Sequence, residues 1–150
     1  MSFSDQINND IKEAMKAKDK DRLNALRAVK SALLLAATEK GAEGGVSDDV
    51  AMKSLQKLLK QREDSAALYK EQGRADLAEE ELAQASILKE YMPEAMSDDE
   101  LDSAVKAIIA ETGAEGMKDM GKVMGIASKK FAGRADGKAI ADKVKALLGA

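Results

Sequence analysis

The chain has 150 residues, 45% of them hydrophobic and 34% charged, with a formal net charge of −3. It contains no Cys and no His. That excludes disulfides, thiol catalysis, zinc sites built on thiolate or imidazole, and Ser-His-Asp catalysis. The aromatics are Phe3, Tyr69, Tyr91 and Phe131, so the core is expected from Leu, Ile, Val, Ala and eight Met.

The periodicity is helical from end to end, and no stretch alternates with the period of a strand. Ile7, Ile11 and Met15 mark a first helix behind a cap at Ser4. Leu23, Leu26, Leu33 and Ala37 mark a second, with Lys30 at its solvent margin and Gly41 and Gly44-Gly45 as its stop. Ser47-Asp48-Asp49 opens a third through Val50, Leu55, Leu58, Leu59, Ala66 and Tyr69, ended by Gly73. Ala78, Leu82, Ala85, Leu88 and Met92 form the stripe of a fourth. Pro93 disfavours helix at the preceding residue and sets the boundary. Ser97-Asp98-Asp99-Glu100 then reads as a capping box, with Glu100 reaching back to the cap. Leu101, Val105, Ile108 and Ile109 face inward on a fifth helix closed by Gly113. Met120, Val123, Met124 and Ala127 give a sixth, and Ile140, Val144, Leu147 and Leu148 a seventh. The expected fold is all-α: an N-terminal four-helix domain, residues 1–93, and a C-terminal three-helix domain, residues 94–150. No window of about 18 apolar residues is present to cross a membrane. Asp5 and Asp10 break any apolar signal core near the N-terminus. The expected location is the cytoplasm.

Charge is distributed unevenly. From Met117 to Lys145 eight cations face three acids, a net of +5; from Glu94 to Gly116 one lysine faces seven acids, a net of −6. The contrast points to a polyanionic partner for the basic stretch. The candidate phosphate contacts are Lys118, Lys122, Lys129, Lys130, Arg134 and Lys138. Gly121, Gly133 and Gly137 are expected to let the backbone turn or approach closely. So few aromatics disfavour a base-stacking platform for single strands and favour structured RNA read through its backbone.

Catalytic motifs are weak. Gly116 to Lys122 spells G-x-x-x-x-G-K, but Val123 stands where a P-loop needs a Mg²⁺-binding hydroxyl, and an acidic helix precedes it where a strand is required. Ser54/Lys57, Ser86/Lys89 and Ser103/Lys106 have Ser-x-x-Lys spacing without companion motifs, as chance among ten Ser and nineteen Lys allows. Asp98, Asp99, Glu100 and Asp102 lack the glycine-bearing spacing of a Ca²⁺ loop and suit helix capping. No catalytic constellation is visible, and neither cofactor nor metal is expected.

With these residues in view, the chain resembles the YqeY-like proteins of the GatB/YqeY group. The signs are Leu26-Arg27, Lys60-Gln61-Arg62-Glu63-Asp64-Ser65, Gly73-Arg74-Ala75-Asp76-Leu77, Tyr91-Met92-Pro93, Lys118-Asp119-Met120-Gly121-Lys122-Val123-Met124 and Gly133-Arg134-Ala135-Asp136-Gly137-Lys138. The resemblance implies a C-terminal module similar to the tail of the B subunit of glutamine-dependent tRNA amidotransferase, a tail held to contact tRNA. The amidotransferase's chemistry sits in a separate cradle domain for which this chain has no room. The implied function is tRNA binding, with no membrane or DNA partner. One alternative is a protein–protein adaptor docking on an aminoacyl-tRNA synthetase or amidotransferase complex. The other is a carbon–nitrogen ligase using glutamine as amido donor.

Overall fold

The structure, a computed structural model, describes residues 2–39 and 46–149. The described residues form seven α-helices and one 3₁₀ turn, with no strand among them. Contacts divide the chain into two compact units, Met1–Met92 and Pro93–Ala150.

Unit 1 holds α1 (Phe3–Ala17), α2 (Lys20–Glu39), α3 (Asp48–Glu71) and α4 (Ala75–Lys89). The cap of α1 is Ser2, two residues before the expected Ser4. Ser2 Oγ accepts from the Asp5 N–H, and Asp5 accepts in return from the Ser2 N–H. That pairing satisfies two orphan donors, and Ser4 falls within the helix. No glycine separates α1 from α2. Lys18 takes the left-handed conformation (φ 57°), and Asp19 accepts from the Arg22 N–H to start α2. The expected stop at Gly41 and Gly44-Gly45 lies outside the described residues.

Helix α2 packs on α1, α3 and α4, and is the central element of the unit. Its Ala25, Leu26, Val29 and Leu33 join Ile7, Ala14, Ala51, Leu55 and Leu88 in one buried cluster. Each fully buried Leu, Ile or Val of the cluster contributes roughly 1.5–3 kcal/mol. Two residues placed on inward stripes by periodicity, Met15 and Leu82, are exposed.

Unit 2 holds α5 (Asp98–Thr112), a 3₁₀ turn (Met117–Asp119), α6 (Met120–Lys130) and α7 (Gly137–Leu148). The helices pack pairwise around Leu101, Val105, Ile108, Val123, Ala127, Phe131, Ile140, Val144 and Leu148. Ser97 caps α5 by accepting from the Glu100 N–H. Glu100 does not reach back, because its carboxylate pairs with Arg134 instead. Gly113 closes α5 at φ 68°. Met120 and Met124 pack against the core, while Met117 is exposed.

Candidate functional site

Most of the motif residues have structural work within their own unit. On α3, Arg62 pairs with Glu81 and Glu63 with Lys89, both on α4. Gly73 (φ 73°) makes the turn after α3, and Arg74 grips Asp76 through two hydrogen bonds of 3.0 and 3.1 Å. The Tyr91 hydroxyl donates to Asp10 at 2.6 Å, and its ring meets Phe3 edge-on. Burial, and then the Asp10 carboxylate, push the phenol up to about 12. Arg22 pairs with Glu90 at 2.8 Å, which raises the guanidinium above its ordinary value. These groups border a concavity with Glu13, Ala14, Ala17 and Asp19, but its Tyr91, Asp10 and Arg22 are already committed to one another or to α4's end.

In unit 2 two sets of basic residues stand apart. Arg134 and Lys143 face inward across helix boundaries. Arg134 Nε donates to the Glu94 carbonyl at 2.9 Å and its NH2 reaches Glu100 at 3.3 Å. Lys143, only 18% exposed, lies 3.0 Å from Asp98 and 3.7 Å from Asp102. Hydrogen bonding to Asp98 raises the Lys143 ammonium, and Lys106 in turn holds the Asp102 carboxyl below its usual range. Arg134, expected as a phosphate contact, has its guanidinium engaged within the unit.

The second set lies on the outer face of α6. Residues four apart share a helix face, so Gly121, Gly125 and Lys129 form a row, with Lys122 and Ile126 beside it. Gly121, Lys122, Gly125, Ile126, Lys129 and Lys130 line one shallow concavity open to solvent. The lysines are exposed, and among the described residues none of them is in an ion pair. Lys118, on the 3₁₀ turn, and Lys138, in the first turn of α7, are exposed but do not line it.

The three expected glycines differ. Gly133 is buried at φ 79°, a conformation that favours glycine. Gly137 is the first residue of α7, capped by Asp136, without a positive φ, and a Cβ there would meet nothing within 4 Å. Gly121 is helical, and a Cβ there, as at Gly125, would meet nothing within 4 Å. Gly125, in the interior of α6, costs roughly 0.5–1 kcal/mol relative to Ala, and Gly121, in its first turn, costs less. No packing within the described residues requires either. Gly125 was missed as a site residue in the sequence, where only its four-residue spacing from Gly121 signalled it.

The P-loop-like string adopts no phosphate cradle. Gly116 is extended, Asp119 accepts from the Glu115 N–H at 3.0 Å, and Lys122 lies in α6. Of the Ser-x-x-Lys lysines, Lys89 pairs with Glu63 and Lys106 with Asp102. No group of three or more potential metal-ligating side chains occurs among the described residues.

In sequence comparison, the family profile described as Yqey-like protein matches residues 4–148. The chain belongs to this family. Among curated relatives it is similar to Altered inheritance of mitochondria protein 41, mitochondrial, of Pyrenophora tritici-repentis, at 31% identity over 148 residues. That match covers 97% of this chain and 80% of the relative. The proteins of the same name in Meyerozyma guilliermondii and Lachancea thermotolerans are 35% and 33% identical. Those two matches cover 80% and 73% of this chain, and only 64% and 61% of the relatives' lengths. The cytoplasmic expectation is overturned by these family members, each named as a mitochondrial protein. The absence of Cys and of long apolar runs constrains redox chemistry and membrane crossing, and neither feature specifies a compartment.

Proposed function

We propose that this Yqey-like protein binds tRNA through the outer face of α6, with phosphates held by Lys122, Lys129 and Lys130 and the backbone admitted close to the helix at Gly121 and Gly125. The observation that carries this reading is the pair of solvent-facing glycines among unpaired lysines, which no internal packing explains. A missing side chain lets a ribose-phosphate strand approach the helix axis, and flanking ammonium groups supply its counter-charge. Lys118 and Lys138 extend the positive field. Arg134 leaves the contact set and becomes a support for it.

The test is a titration with total tRNA at several salt concentrations. The logarithm of affinity is expected to fall linearly with the logarithm of salt, by about 0.7–0.9 per phosphate neutralised. Lys122→Glu with Lys129→Glu is expected to weaken binding more than about tenfold and flatten that slope, with helicity unchanged. Equal weakening by Lys53→Glu with Lys57→Glu, in unit 1, would remove α6 as the RNA face.

A further inference from the structure

A second exposed feature lies in unit 1 and is independent of the α6 reading. Leu34 and Leu35 of α2 stand 60% and 61% exposed. They belong to the run Leu33–Ala37, five successive apolar residues that circle the helix, so α1, α3 and α4 leave part of it uncovered. The two leucines border different grooves. Leu34 lines one of about 110 Å³ with Ile7, Ala37 and Val46, and Lys30 at its edge. Leu35 lines one of about 140 Å³ with Ala32, Ala36 and Leu58, and Lys57 at its edge.

The surroundings are cationic. Arg27 and Lys30 on α2 and Lys53, Lys57 and Lys60 on α3 are all exposed, with no ion pair among the described residues. Positions 53, 57 and 60 share one face of α3, the face that Lys57 presents to the Leu35 groove. Among the described residues, Glu39 is the one acid lining either groove.

We infer that this face docks an acidic amphipathic helix of a partner protein, with apolar side chains entering the grooves on either side of α2 and carboxylates meeting Lys30, Lys53 and Lys57. Charge complementarity fixes the sign of the partner, and the paired grooves fix its form. A helix lying in a groove inserts side chains three or four positions apart into separate pockets. Exposed apolar patches framed by polar residues are the usual mark of a protein contact. A lipid surface makes no use of two narrow clefts, and phosphate contacts make no use of two leucines.

The test uses the full chain and a fluorescent synthetic helix with Leu on one face and Glu on the other, beside the same helix with Lys replacing Glu. The Glu helix is expected to bind and the Lys helix to bind at least about tenfold more weakly. Leu35→Glu is expected to weaken the Glu helix about tenfold or more, the size of a central anchor. Leu34→Ser, also at an exposed position, is a second reading of the same contact, with circular dichroism checking each fold. Absence of binding, equal binding of both helices, or indifference to Leu35→Glu and Leu34→Ser would overturn the inference. So would displacement of the Glu helix by total tRNA, which would make the face an RNA site. Leu35-dependent sedimentation with phosphatidylglycerol vesicles, without competition from the Glu helix, would make it a lipid site. Failure here leaves the α6 titration unaffected, because the two faces lie in different units.

Discussion

Between α5 and α7, Lys143 reaches Asp98 and Asp102, and next to them Arg134 joins Glu100 to the Glu94 carbonyl. On the outer face of α6, Lys122, Lys129 and Lys130 stand beside bare helix backbone, with no acid among the described residues paired to them. Both regions came from one basic stretch in the sequence. The difference shows that part of the +5 and −6 contrast between neighbouring segments is the two sides of a seam inside one unit. Acids from the negative segment neutralise two of the eight cations of the positive one. Six cations remain, and three of them, Lys122, Lys129 and Lys130, line the concavity with Gly121 and Gly125.

Substitutions separate the two regions further, beginning with the turn that holds Arg134. Gly133→Ala is expected to destabilise unit 2 by about 1–2 kcal/mol, the cost of forcing an ordinary residue into the left-handed region. A denaturant midpoint unchanged by this substitution would show that the turn relaxes without loss. Arg134→Ala is expected to cost roughly 1 kcal/mol, since it removes a charged hydrogen bond and a half-exposed ion pair. Lys129→Ala should leave the melting temperature within error and weaken tRNA binding. If Arg134→Ala and Lys129→Ala have the same effect on both readings, the division between seam and outer face fails.

Gly125→Ala sharpens the comparison with a loss of function opposed to a gain of stability. A Cβ there meets open space, so the helix is expected to strengthen by roughly 0.5–1 kcal/mol. Affinity for tRNA should fall, because the new methyl stands on the proposed path of the strand. A more stable protein with undiminished binding would detach the glycines from RNA contact.

A last expected effect concerns the comparable tether in unit 1. The folded Tyr91 phenol is raised to about 12 from 10.0, mainly by burial and then by its bond to Asp10. Its contribution to stability is therefore complete below about pH 10 and is lost as pH rises toward 12. Tyr91→Phe should remove that alkaline step from the unit 1 transition. A step that persists in the variant would belong to another group.

Helix number, order and most inward faces were legible because aliphatic spacing dominates this chain. The four-plus-three grouping of helices followed from Pro93 and the cap at Ser97. Less legible were features decided by competition. Ser2 displaced Ser4 as a cap because Asp5 completes its pairing. Glu100 left the capping box for Arg134, forty residues away from Glu94 in the chain. Lys18 made a left-handed turn without glycine. For the candidate site, Lys122 and Gly121 were visible from composition and spacing, whereas the employment of Arg134 was not. A list of charges does not say which of them face one another.

The clamp between Arg134 and residues 94–96 also orders events during synthesis. The Met96 N–H donates to the Arg134 carbonyl, and the Glu94 carbonyl receives the Arg134 side chain. Unit 1 has all of its residues once Met92 has emerged from the ribosome, and can form its core then. The first residues after Pro93 must wait for a partner forty positions downstream. At about 5–20 residues per second, that wait lasts about 2–8 s. During that interval the nascent chain carries a completed N-terminal bundle and an acidic, still unanchored leader to α5.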